Sequence, residues 1–107
     1  MGDEVDLSGI APDSFTIEIQ NGASVVGAAA ATEVLLKDKG FVVEKIGNAE
    51  QPVYTETLVI AKGDLGDLRA QKVIEALGMG RIVTTPEYYT FDTDVLLILG
   101  SDYRPIN

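Results

Sequence analysis

The chain contains no cysteine, no histidine and no tryptophan. Without cysteine it can build no disulfide framework and no thiol nucleophile, and its redox compartment cannot be read. Without histidine, zinc sites built on His or Cys and His-based triads are excluded, and the commonest acid–base side chain is missing. Cations are scarce as well: 8 Lys and Arg against 17 Asp and Glu give a formal net charge of -9. A surface of that sign repels a phosphate backbone and an anionic membrane surface, which speaks against nucleic acid or direct membrane insertion. It suits solubility, a cationic partner or an ion-rich exterior. No apolar run approaches the length of a membrane span. The opening residues lack the basic region and apolar stretch of a signal peptide; a membrane anchor or export signal could lie upstream in a longer parent protein.

What is present fits one compact domain. The 107 residues are enough for one domain and not two, and 46% of them are apolar, so a core can form without disulfides or metal. Residues 1–14, acidic and carrying Gly9 and Pro12, read as a linker or disordered arm, and residues 15–107 as the domain. Phe15, Ile17 and Ile19 alternate with Thr16, Glu18 and Gln20, the pattern of a strand with one wet face. Asn21-Gly22 is a turn dipeptide. Residues 25–39 then read as a helix, with Ser24 as its cap, an apolar face of Ala28, Ala31 and Leu35 with Val34 beside it, and Gly40 as its stop.

Residues 41–46 and 57–61 read as strands, separated by a polar loop holding Pro52 and Tyr54. A second helix follows, with Asp64 as the expected cap and Ala70, Val73, Ile74 and Leu77 as its buried stripe. Residues 81–84 form a short strand that Pro86 cannot extend, and residues 85–94 a loop. The last strand, Val95 to Leu99, is V-L-L-I-L, apolar without alternation. Two strand–helix units joined strand to strand suggest an α+β fold, a two-layer α/β sandwich of the ferredoxin-like plait type, βαββαβ with an extra short strand. The final strand is too apolar for an edge with one wet face. Either it is interior to the sheet, or Leu96 and Ile98 face a partner.

Four segments, in order, carry a resemblance. I-E-I-Q-N-G-A-S-V-V-G-A-A-A (17–30), G-F-V-V-E-K-I-G-N-A (40–49), Y-T-E-T-L-V-I (54–60) and V-L-L-I-L-G-S-D-Y (95–103) resemble the successive strands, the alanine-rich helix and the Gly-x-Asp-Tyr ending of the LytR C-terminal domain family. The resemblance implies a bacterial cell-envelope setting, an extracytoplasmic location and an accessory role. Such domains often follow a LytR–CpsA–Psr catalytic domain, which attaches anionic glycopolymers to peptidoglycan. No stretch here resembles that catalytic domain, so its activity is not implied, and the family supplies no catalytic residue to transfer.

Three groups of residues are candidate sites. Asn21, Gly22 and Ser24 join a strand end to a helix start, where backbone N–H groups can hold a phosphate or sugar acid; the plainer reading is a turn and a cap. No Lys or Arg lies in this loop, and the pattern is neither a P-loop nor a Rossmann glycine set, so no cofactor is expected. Tyr54, Tyr88 and Tyr89, with Phe91, stand on loops, where rings stack on sugars or anchor a protein partner, or else close the ends of a small core. Leu96 and Ile98 are candidates for an interface on the sheet face away from the helices. Asp92, Asp94 and Asp102 match no calcium loop, so no metal is expected, and the glutamates form no visible catalytic pair. The expectation is a non-catalytic accessory domain that binds or positions a cell-wall glycan or an envelope protein partner. The alternative is a pure interaction or dimerisation module docking through an open sheet face; a carboxylate-based hydrolase is a third possibility.

Overall fold

The structure, a computed structural model, describes residues 9–49 and 54–104. Most of the expected N-terminal arm, and the loop segment with Glu50 and Pro52, lie outside the described residues. The elements follow in the order β1 (Thr16–Asn21), α1 (Ala28–Asp38), β2 (Val42–Asn48), β3 (Leu58–Ala61), α2 (Gly66–Leu77), β4 (Arg81–Val83) and β5 (Val95–Leu99), with 3-10 turns at Pro12–Ser14 and Pro86–Tyr88.

One sheet has the order β2-β1-β5-β3-β4. β1 is parallel to β2 and to β5, β3 is parallel to β4, and β3 is antiparallel to β5. Each helix therefore links two adjacent parallel strands, and the two β-α-β units run in opposite directions on either side of β5. Crossovers of this kind are right-handed. Turning one unit by half a revolution in the sheet plane superimposes its path on the other, so the right-handed rule places both helices on the same face. The packing agrees: Leu36 of α1 and Ala70, Val73 and Leu77 of α2 share one cluster with Ile17, Ile19, Val59, Val95, Leu97 and Leu99. The two-layer α+β arrangement is thus present. Its strand order departs from the split plait, in which another strand separates the two of each unit. Here β5 takes the centre instead. Its five residues are all buried, and only a central position covers both faces and pairs both edges of so apolar a strand.

Local differences have local causes. α1 begins at Ala28, three residues later than expected, because Ser24 (φ 59°) and Gly27 (φ 82°) are both left-handed. Ser24 is not the helix cap; Gly27 holds that position and makes no side-chain cap bond. The buried stripe of α1 is Ala29, Thr32 and Leu36, with Ala28 and Leu35 partly covered and Val34 exposed. Four successive alanines left the helix phase undetermined by pattern, and Thr32 tolerates burial because its hydroxyl donates to the Ala28 carbonyl at 2.8 Å. Asp64 does not cap α2 either; the cap position is Leu65, again without a side-chain bond. The expected α2 stripe is present, with Ala70, Val73 and Leu77 buried and Ile74 packed beside them. At the N-terminal side, Ile10 is buried in the main core and Pro12 packs near Gly40, so the end of the expected arm folds onto the domain.

A cleft on the helix-free face

The second face of the sheet carries no helix among the described residues, yet it is not open. Leu58, Ile60, Leu96 and Ile98 form a smaller apolar cluster closed by Phe91, with Ala49, Tyr54, Val83 and Tyr89 packed against it. Leu96 and Ile98 are only 2% and 1% exposed. The pair does face away from the helices, but it presents no free docking surface, because the chain's own loops cover it. This corrects the expected open-face interface at Leu96 and Ile98.

The cover leaves a gap. A cleft of about 300 Å³ is lined by Gln20, Tyr54, Tyr88, Tyr89 and Thr90, with Leu96 and Ile98 at its base. Tyr54 arrives from the loop before β3. Its backbone N–H donates to the Gly22 carbonyl at 2.8 Å, and its ring lies so close that a Cβ on Gly22 would stand 2.6 Å from Tyr54 Cδ1. Tyr88 and Tyr89 arrive from the loop between β4 and β5. Pro86 starts a 3-10 turn there, and the Tyr88 and Tyr89 N–H groups donate to the Thr85 and Pro86 carbonyls at 3.2 and 3.0 Å. Phe91 then anchors the loop: its ring is buried, the Lys62 ammonium lies 4.5 Å from the ring centroid, and the same ammonium donates to the Phe91 carbonyl at 2.6 Å. Tyr88 and Tyr89 are thus held between a proline turn and a buried ring. Tyr88 is 80% exposed, while Tyr89 is half-buried against the apolar cluster.

The cleft joins three of the six expected ligand residues, Tyr54, Tyr88 and Tyr89, and adds Gln20 and Thr90. By alternation alone Gln20 belongs to a wet strand face. That face is covered: Glu18 beside it is only 7% exposed, and the Gln20 amide donates to the Glu18 carboxylate at 3.0 Å. The alternation placed Glu18 and Gln20 on the correct side of β1, the side of their register partners Leu96 and Ile98; only the fold shows that this side is roofed.

Asn21, Gly22 and Ser24 lie outside the cleft lining. The Asn21 side chain is committed at both ends, accepting from the Ala23 N–H at 3.0 Å and donating to the Val25 carbonyl at 2.7 Å. It holds the loop that contains Ser24 and leads into α1. Gly22 serves close packing: a Cβ there would also meet the Leu99 carbonyl oxygen at 2.9 Å.

The acidic residues around β5 do not converge. Asp94 accepts from the Thr16 N–H at 3.0 Å, and Asp102 from the Thr57 N–H at 2.8 Å, at opposite ends of the strand. No cluster of metal-ligating side chains occurs among the described residues. Tyr103 lies on the helix side, its hydroxyl 2.7 Å from that of Thr32. Burial pushes its phenol above the ordinary value, only partly opposed by the Thr32 hydrogen bond. No described helix is long and apolar enough to cross a membrane.

Comparison with known proteins follows the same outline. Residues 14–103 match the model of a family described as LytR cell envelope-related transcriptional attenuator. The soluble domain, residues 71–217, of a conserved hypothetical secreted protein from Mycobacterium marinum, an Rv2700 ortholog, superposes with a TM-score of 0.67 at 20% identity, covering 97% of this chain and 74% of that one. The C-terminal domain of Rv0431, determined in solution, gives a TM-score of 0.58 at 26% identity, covering 94% of this chain and 82% of that one. No protein of curated function matches the chain.

Proposed function

The chain belongs to the LytR cell envelope-related transcriptional attenuator family, as a domain of a cell-envelope protein, and we propose that it is a non-catalytic, extracytoplasmic accessory domain that binds a cell-wall glycan in the tyrosine cleft. The observation that carries this reading is the convergence of Tyr54, Tyr88 and Tyr89 around one concave, polar-rimmed cleft with an apolar base. Aromatic rings offer flat apolar surface to the faces of sugar rings, and their hydroxyls, with Gln20 and Thr90, supply hydrogen bonds to sugar hydroxyls.

The lining supports binding over turnover. A glycosidase places two carboxyl groups across a scissile bond, about 5 to 9.5 Å apart. The described lining is an amide, phenols, one threonine and two aliphatic residues. Location outside the cytoplasm accords with the family and with the secreted protein whose soluble domain shares the fold. The rival reading, docking of a partner on an open sheet face, loses the surface it needs, because Leu96 and Ile98 are covered.

The test is titration of soluble peptidoglycan fragments and N-acetylglucosamine oligomers into the domain and into a Tyr88→Ala/Tyr89→Ala variant, followed by calorimetry and amide chemical shifts. Shifts at Gln20, Tyr54 and Thr90, and a loss of about thirtyfold in affinity on removing both rings, are expected from the usual worth of an aromatic anchor. No binding, or equal affinity of the two proteins, overturns the reading. Tyr88 is mostly exposed, so its own truncation leaves folding intact.

A further inference from the structure

We propose that the cleft is selective for uncharged sugars and rejects anionic ones, and that Glu18 and Gln20 set this selectivity; the proposal rests on the glycan-binding reading above. Three observations meet here. The described lining contains no lysine or arginine. Glu18 puts a carboxylate beneath the same face, 7% exposed and in register with Leu96 at the base of the cleft. The Gln20 amide nitrogen donates to that carboxylate at 3.0 Å.

The hydrogen bond decides which way the amide points. A carboxylate accepts and cannot donate, so the NH₂ end of Gln20 must face Glu18. The carbonyl end is then the part of the amide offered to a ligand, backed by a formal negative charge. Such an edge accepts from hydroxyl groups and from the N–H of an acetamido sugar. It offers no paired donors for a sugar carboxylate or a phosphodiester, and the nearby charge repels both. Lys45, the register partner of Glu18 on β2, is exposed and forms no ion pair among the described residues. A buried carboxylate also persists more strongly as a local field than a surface one, because less water screens it.

The experiment compares two tetrasaccharides of equal length, tetra-N-acetylglucosamine and tetragalacturonate, by calorimetry on the wild type and on Glu18→Gln, Gln20→Lys and Glu75→Gln variants. The wild type is expected to bind the uncharged tetramer at least tenfold more tightly. Glu18→Gln keeps the shape and the acceptor but removes the charge, and should narrow that preference by about tenfold. Gln20→Lys changes a half-exposed residue, so it serves if the buried substitution impairs folding; it should shift preference toward the anionic tetramer. Glu75→Gln alters net charge equally on α2, across the sheet, and should leave the preference unchanged, which separates a local field from the charge of the whole molecule. Equal or tighter binding of tetragalacturonate by the wild type, or a preference unmoved in both cleft variants, overturns the selectivity while leaving the glycan site standing, provided Tyr88→Ala/Tyr89→Ala still weakens binding. If neither tetramer binds, both the selectivity and the glycan site are overturned.

Discussion

The two ends of β5 are held by the same device, built once loosely and once tightly. Before the strand, the Asp94 carboxylate accepts from the N–H and hydroxyl of Thr16 at 3.0 and 3.3 Å, and the Asp94 N–H donates back to that hydroxyl at 3.2 Å. After the strand, the Asp102 carboxylate accepts from the N–H and hydroxyl of Thr57 at 2.8 Å each, and the Gly100 N–H donates to that hydroxyl at 3.1 Å. Thr16 opens β1 and Thr57 precedes β3, so one central strand pins the start of each β-α-β unit. Each end also reaches one helix. Arg69 of α2 approaches Asp94 at 3.6 Å and lies over the Phe15 ring, but its Nε is buried without a partner among the described residues. Tyr103 meets Thr32 of α1 through uncharged hydroxyls. The first end is ionic and half-exposed, and salt screens it. The second is shorter, and Thr57 within it is 1% exposed. The Gly-Ser-Asp-Tyr run at residues 100–103 is therefore a latch, and its glycine, aspartate and tyrosine all have structural work.

The largest effect should come from the glycine of the tight end. A Cβ on Gly100 would lie 2.3 Å from the Glu56 carbonyl carbon and 2.4 Å from its oxygen. Both are backbone atoms at the entry to β3, and neither can swing aside as a side chain would. Gly100→Ala should cost more than about 4 kcal/mol, beyond the usual range for single substitutions, and urea denaturation should show a domain near or past its unfolding threshold. A stable Gly100→Ala protein would mean that the chain crosses Glu56 less closely than described.

The two aspartates give the direct comparison. Asp102→Ala strands the N–H and hydroxyl of a buried threonine and should cost about 2–3 kcal/mol, the range for hydrogen bonds to a charged group. Asp94→Ala exposes a half-exposed threonine to water that can replace the lost acceptor, and about 1 kcal/mol is expected. Chemical denaturation of both variants at low and high salt checks the order, and the Asp94 cost alone should shrink as salt rises.

Much of this architecture was legible in the chain, and the exceptions are instructive. The α2 stripe and the apolar β5 could be read because spacing and run length each allow one interpretation. Strand order could not, since a hydrophobic pattern reports which faces are buried and not which edges pair. The start of α1 was obscured by Val25 and Val26, which read as helix but stand exposed before it. The tyrosines of the cleft were recognisable by type and by their loops. Glu18 and Gln20 were not, because alternation marks a face as polar without saying that residues 84–94 cross back over it. Asn21, Gly22 and Ser24 carried a turn signal, and the structure spends it on loop closure.

The smallest effect separates the two ends by pH. Tyr103→Phe removes one hydroxyl from a hydrogen bond to Thr32 and should cost about 1 kcal/mol at neutral pH. In the wild type, burial raises the folded-state phenol above its unfolded value of about 10. The sign follows directly: below pH 10 both states hold the proton and the full contribution is present. As pH rises further, the unfolded chain loses the proton first, and the stabilisation drains until the folded phenol ionises too. Phenylalanine has no proton to lose. The gap between wild type and Tyr103→Phe should therefore be constant from pH 6 to 9 and narrow as the pH rises above about 10, as read from paired denaturation curves. Paired Asp94→Ala curves should show no such narrowing, because no phenol is removed there. A gap that stays constant through the alkaline range would place the Tyr103 hydroxyl in water instead of between the latch and α1.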